Sequence, residues 1–378
     1  MRYRHLSIIV TLATLLLAGV SAAGAQGTRD APQAFTRGKS LADWIAQAGH
    51  YIPEMRREAV KAIATLGPAA QDALPVLIRS TRDEDEEVRF WAVEAIRRMG
   101  GAGRDAAPAL LVVLSNDTRR LQDEARRAFE AIGAPAVPVL IPALRSPDPW
   151  VRANAAEALG TIGDARDKVV PELIRLLSDD TLWVRSSAAW AIGDLGGDAH
   201  AAAKPLARCL VEELRRDPTL SDPGIRVRVE DLVYALGRLG DHASGAVAPV
   251  MTVLYDGDDS LRAAAAAALA GIGHKAAEPL GRAVRSAPLP VRMEAARALR
   301  LMGPEAKHAT RDLIKVLEAN DELEGGHDLV IATADALGAI GHDAKAALGI
   351  LERQRRQSAS SDVVEALDRA IRKIREGA

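Results

Sequence analysis

The chain has 378 residues, 48% of them apolar but only 3% aromatic, so its core must be built mainly from Ala, Leu, Val and Ile. Its formal charge is −2 with both signs interspersed, which argues against the basic stripe of a nucleic-acid binder and gives no reason to expect anionic lipid binding. Cys209 is the single cysteine, so no intramolecular disulfide is available and stability has to come from packing.

The first 25 residues read as a targeting segment. Arg2, Arg4 and His5 form a basic start, Leu6 to Val20 is mostly apolar, and Ala23-Gly24-Ala25 fits the small-x-small cleavage rule. We expect a cleavable secretory signal peptide over 1–25, with Gln26 as the first mature residue and a periplasmic or secreted destination. The apolar run is shorter than the ~20 residues a spanning helix needs, which disfavours retention as a membrane anchor. No cysteine follows it for lipid attachment, and no Arg-Arg pair precedes it. Cleavage removes Arg2 and Arg4 and no acid, which shifts the formal charge from −2 to −4.

Residues 26–39 lack periodicity and are expected to be a flexible leader. Ser40-Leu-Ala-Asp43 then has the form of a capping box, with Trp44 behind it and Gly49 as a stop. This predicts a short helix that caps the N-terminal end of a larger array.

From there to the C-terminus one pattern recurs nine times, typified by Val151-Arg-Ala-Asn-Ala-Ala-Glu-Ala-Leu-Gly-Thr-Ile-Gly163. The copies end at Gly67, Gly100, Gly133, Gly163, Gly196, Gly240, Gly273, Gly303 and Gly341, spaced by 33, 33, 30, 33, 44, 33, 30 and 38 residues. A self-similar period of this length means a stacked array, in which each unit buries its apolar face only against its neighbours.

Counting back from each glycine, offsets of 12, 8, 5, 4 and 1 lie on one face of a 3.6-residue helix. Five back is alanine every time (Ala62, Ala95, Ala128, Ala158, Ala191, Ala235, Ala268, Ala298 and Ala336), marking where the neighbouring helix comes closest. A second helix follows, with a proline expected in its first turn at Pro75, Pro108, Pro138, Pro171, Pro205, Pro249 and Pro279. The two 30-residue gaps shorten the turn between the helices. The two long gaps place insertions at 211–226 and 318–328. Asp362 to Arg375 is a lone amphipathic helix suited to capping the C-terminal end.

Helix pairs with Val-Arg-x-x-Ala-x-x-Ala-Leu-Gly-x-Ile-Gly in the first helix resemble HEAT repeats. More narrowly, they resemble the HEAT-like subgroup named for phycobilisome lyases, over roughly residues 51–378. The resemblance implies an all-α, right-handed, armadillo-like solenoid of about nine helix pairs over residues 40–378. It also implies a structural ladder in which Asp85, Asp117, Asp148, Asp180 and Asp258 pair with Arg56, Arg89, Arg152, Arg185, Arg262 and Arg292. Gln122, Val229 and Val330 depart from the arginine position, so breaks are expected at the third, sixth and ninth repeats.

Chemistry is scarce. His200, His242, His274, His308 and His342 recur once per repeat just after the glycine. Helices ~8–10 Å apart cannot easily bring such residues onto one metal, so they are expected to be solvated turn residues. A relative of this fold, deoxyhypusine hydroxylase, holds a di-iron site on His-Glu dipeptides, and here no His is followed by Glu. No His-Glu-x-x-His, Gly-x-Ser-x-Gly or phosphate-binding loop is present either. No catalytic residue, metal or cofactor is therefore expected, and an enzyme or enzyme subunit of the HEAT-like lyase or hydroxylase type is the disfavoured alternative. Cys209, in an apolar helical stretch, should be an inert buried thiol.

Partner binding is the favoured function: a non-catalytic scaffold for a protein or peptide, without nucleic acid. Trp150 and Trp183 occupy the same position, thirteen before the glycine, in consecutive repeats, where other repeats hold polar or small residues. They are candidate exposed anchors, unless they pack over their own turns. Trp91 and Trp190, inside first helices, are expected to be packing residues. The second helices should line the concave face, where Arg282, Arg285, Arg311 and Lys315 form a basic stretch suited to an acidic peptide.

Overall fold

The computed structural model describes residues 35–36, 38–116, 118–319 and 326–376. The expected signal peptide, Asp117 and most of the 318–328 insertion lie outside the described residues. Within them the chain is an α-solenoid whose first helices run Pro53–Leu66, Glu86–Met99, Arg119–Ile132, Pro149–Ile162, Leu182–Leu195, Pro223–Arg238, Asp259–Ile272, Leu289–Met302 and Gly326–Ile340. Each packs on the next to make one layer. The second helices, among them Val137–Ala143, Ala203–Arg216, Ala277–Ser286 and Thr310–Glu318, make the other.

Each end of the stack is closed by an extra helix. At the N-terminus Leu41–Gln47 is started by the Ser40–Asp43 capping box. Its Trp44 is only 1% exposed and donates its indole N–H to the Thr36 carbonyl at 3.1 Å. Phe35–Thr36 and Lys39–Ser40 pair as a two-residue antiparallel ribbon, so the end of the stretch expected to be a leader is built into this cap. Ser361–Glu376 closes the other end with a face of Val363, Leu367, Ile371 and Ile374.

The glycines that end the repeats all sit at positive φ, between 54° and 83°, where a side chain would be strained. In six repeats the glycine opens a seven-residue 3-10 turn, such as Gly67–Ala73 or Gly196–Ala202. In the third and seventh repeats that turn is three residues, Ala134–Ala136 and His274–Ala276, which accounts for the two 30-residue gaps. The fourth repeat differs. Gly163 and Ala165 are both left-handed, the second helix starts early at Arg166, and Pro171 falls inside it instead of in its first turn.

The alanines five before the glycine are no more than 4% exposed, and the large apolar residues four before it are fully buried in all nine repeats. The close approach inferred for those alanines is literal. A Cβ built on Gly160 would lie 2.6 Å from the Ala191 Cα, and one on Gly237 would lie 2.6 Å from the Ala268 Cα. Small residues on both sides let neighbouring first helices touch backbone to backbone.

The arginine ladder exists with different acids. Arg56 makes a bidentate pair with Asp83 at 2.8 Å, and Arg152 with Asp179 at 2.8 Å. Each also binds two carbonyls of its own preceding turn, as Arg56 does with His50 and Tyr51. Arg185 keeps only such carbonyls, those of Asp179 and Asp180. Asp85, Asp148 and Asp258 are instead N-caps, accepting from the N–H groups of Val88, Trp150 and Leu261. A carboxylate at the cap is engaged by its own helix's free N–H groups; Asp85 and Asp258 also pair with Arg57 and Arg226 of the previous repeat, while the acid that meets the ladder arginine lies two residues before the cap. In the sixth repeat, where Val229 replaces the arginine, Arg228 one residue earlier is buried against Glu213 and the Leu177 carbonyl.

Candidate binding surface

Two pairs of aromatic rings stand on the solvent side of the first-helix layer. Trp150 and Trp183, at the first turns of Pro149–Ile162 and Leu182–Leu195, are 52% and 44% exposed. Their rings stack with centroids 5.4 Å apart and an interplanar angle of 28°. The cap that starts the fourth-repeat helix, Asp148 accepting from the Trp150 N–H, fixes where the first ring emerges. The rings therefore pack on each other across the repeat boundary while leaving about half their surface to solvent.

Trp190 corrects the expectation that it packs inside the array. It is 47% exposed and stacks on Tyr234, with centroids 4.6 Å apart and planes at 25°. Trp91, by contrast, is half-buried against the core and edge-on to Phe90. The two differ in helix position, nine before the glycine for Trp91 and six for Trp190, and Gly193 leaves room for the stacking partner. A Cβ there would fall 2.8 Å from the Tyr234 ring, so its absence lets Tyr234 lie across the fifth-repeat helix beside Trp190. Trp190 and Tyr234 are each six before their glycine, seven residues beyond the position that holds Trp183 and the 54%-exposed Val227. Seven residues is about two helical turns, so both aromatic positions fall on one stripe. The residue type at that position, compared from repeat to repeat, is the sequence signal that finds the second pair.

Beside Trp190 and Tyr234 lies a cavity of about 550 Å³ between the sixth and seventh first helices. Gly237, Ala264, Ala267, Ala268 and Gly271 form its small-residue lining, and Glu230, Asp231 and Arg238 bring its charges. Asp231 is buried. Its Oδ1 accepts the Trp190 indole N–H at 3.0 Å, and its Oδ2 has no hydrogen-bond partner. Burial pushes its carboxyl above the ordinary carboxylate range, against the opposing pull of Ser186 and Trp190.

The basic stretch on the second helices is exposed at all four residues. Arg282 is paired with Glu278 of its own helix at 2.6 Å, and Arg285 with Asp312 of the next at 2.7 Å. Arg311 and Lys315 make no ion pair among the described residues. Half of the basic charge counted in the sequence is thus met locally.

Two of the turn histidines come together after all. His200 and His242, from neighbouring 3-10 turns, have ring centroids 5.3 Å apart because the side chains span a gap the backbones do not. Among the described residues no group of three or more His, Cys, Asp or Glu side chains could hold a metal ion. Cys209 is buried, and desolvation raises its thiol pKa. No described helix is long and apolar enough to cross a membrane.

Comparison with known proteins agrees with this architecture. The HEAT-repeat family profile matches residues 41–130, 108–168 and 137–220. No curated protein sequence matches significantly. Among solved structures the chain is similar to importin beta (TM-score 0.57, 14% identity, 88% of this chain and 52% of that one). It is similar also to Kap95p in its complex with Nup1 (TM-score 0.58, 12% identity, 89% of this chain and 52% of that one). It therefore spans about half the length of these neighbours, and at such identities the likeness is one of fold. Residues 41–220 carry recognisable HEAT repeats, the helix pairs beyond them continue the same stack, and the chain has the fold of an α-solenoid.

Proposed function

We propose that this chain is an exported, non-catalytic interaction scaffold that anchors a protein or peptide partner on the edge formed by Trp150 and Trp183. The observation that carries this reading is the stacked pair itself: two indoles in register, each about half exposed. Large aromatic side chains left in solvent on a rigid scaffold are costly unless a partner covers them, and such residues dominate interface energetics. The basic stretch at Arg311 and Lys315 offers a second contact for an acidic segment. The relation to the phycobilisome-lyase-like subgroup rests on the repeat motif, and export rests on the N-terminal sequence.

Affinity capture from a periplasmic fraction, comparing the wild-type chain with Trp150→Ser/Trp183→Ser, tests the proposal. A partner retained by the wild type and lost by the double variant, with the melting curve nearly unchanged, is the expected result. A large loss of stability would make the indoles packing residues instead. A stoichiometric iron or zinc content in the purified chain would overturn the non-catalytic part of the reading.

A further inference from the structure

We propose that the cavity between the sixth and seventh first helices is a receptor for an arginine side chain of a partner polypeptide. Three features of its wall select that chemistry. Trp190 and Tyr234 present an aromatic platform beside the opening, and a planar guanidinium stacks well on such faces. Glu230 is exposed at the rim and Asp231 is buried behind it with only the Trp190 N–H on Oδ1 and Oδ2 unpaired, so one carboxylate can steer a cation and the other adds negative charge to the wall. Gly237, Ala264, Ala267 and Gly271 leave room for the alkyl stem where larger residues would fill the groove. The volume of about 550 Å³ is ample for one long side chain.

The opposing charge is accounted for. Arg238 also lines the cavity, but it is exposed and its Nε points to the Gly193 carbonyl at 3.4 Å. Asp194, which accepts from the Tyr234 hydroxyl at 3.2 Å, adds a third acid nearby. The lining carries two carboxylates, Glu230 and Asp231, to one guanidinium, Arg238, and the nearby Arg228 is already paired with Glu213, which fits a cationic guest and opposes an acidic one. A buried carboxylate with an unfilled acceptor destabilises an unliganded fold. A bound guanidinium would offset the negative charge of the Asp231 carboxylate, which lies just behind the wall with the Trp190 N–H and the Ser186 hydroxyl beside it.

This inference stands apart from the Trp150–Trp183 edge, and its test separates the two. The probe is the peptide Gly-Gly-Arg-Gly-Gly, titrated into the full chain by calorimetry, against the same peptide with citrulline or glutamate in place of arginine. Citrulline keeps the shape and removes the charge. Saturable binding of the arginine peptide is expected, weaker by about tenfold or more for citrulline and absent for glutamate. Asp231→Asn and Trp190→Leu should each weaken arginine binding by a similar factor. Trp150→Ser/Trp183→Ser should leave it unchanged. Equal affinity for arginine and citrulline would overturn the proposal, as would no saturable binding at millimolar peptide or undiminished binding by Asp231→Asn. Asp231→Asn keeps an acceptor for the Trp190 N–H, so retention of the folded state can be verified by its melting curve alongside the titration.

Discussion

Gly160 and Ala191 stand so close that a single methyl group on the glycine would meet the alanine backbone at 2.6 Å. The same contact joins Gly237 to Ala268, and Gly193 meets Ala235 Cα at 3.2 Å. From the fourth repeat to the seventh, the first helices are thus held at the separation that small residues permit. That separation also sets the width of the groove beside Tyr234.

Gly160→Ala should therefore cost stability. The neighbour is backbone, which cannot rotate away, so overpacking of the order of 1–3 kcal/mol is expected, read as a lower melting temperature. Gly101→Ala is the matched control: nothing lies within 4 Å of a Cβ there, and it should be close to neutral. Equal effects from the two would mean that the helices slide apart at little cost.

Arg152 ties two repeats together through Asp179 and its own turn through the Ser146 and Pro147 carbonyls, with its side chain only 15% exposed. Removing it leaves a buried carboxylate with only the Thr181 N–H and frees two carbonyls. Arg152→Ala should lose about 3 kcal/mol or more. Arg120→Ala, which breaks a half-exposed pair with Glu87, should lose no more than about 1 kcal/mol. Because a solenoid communicates mainly between neighbours, hydrogen exchange in Arg152→Ala should rise in the fourth and fifth repeats well before the first.

Acid should weaken the junction of the first two repeats. The Arg57 guanidinium, bonded to Asp85, holds that carboxyl at about 2, below its ordinary 3.8. A depressed folded-state pKa contributes stability that is complete above the ordinary value and lost as pH falls from about 4 to about 2. Arg57→Gln should be slightly less stable than wild type at pH 7, a small effect because Arg57 is solvent-exposed and the pair is screened. The gap should close near pH 2, as measured by urea unfolding across that range. A pH-independent difference would mean the side chain acts by packing.

Asp231 runs the other way. Its folded-state pKa is raised by burial, so its ionised form opposes folding above that pKa and the penalty disappears in acid. Asp231→Asn should raise stability at pH 7, by roughly 1 kcal/mol, while retaining an acceptor for the Trp190 N–H. The gain should shrink as pH is lowered to about 4. A loss of stability at neutral pH would show that the carboxylate is compensated in the free chain.

The repeat, the helix boundaries and the buried alanines were legible in the sequence because they are periodic. A residue that must face a neighbour in every copy recurs at a fixed offset, and nine copies of Ala five before a glycine leave little room for another reading. The exposure of Trp150 and Trp183 followed from the same comparison, since the other repeats place polar or small groups there. What the tertiary structure decided are contacts between copies that differ. Arg56 and Arg152 meet Asp83 and Asp179, two residues before the next helix's cap, while the cap Asp85 itself takes the neighbouring Arg57. Trp190 stands exposed with Tyr234 stacked on it across Gly193, and Asp231 is drawn to the Trp190 N–H with its Oδ2 left unpaired. Periodicity fixes what every repeat shares. A cavity arises where adjacent repeats break the pattern differently, and only the packed helices bring those departures into one place.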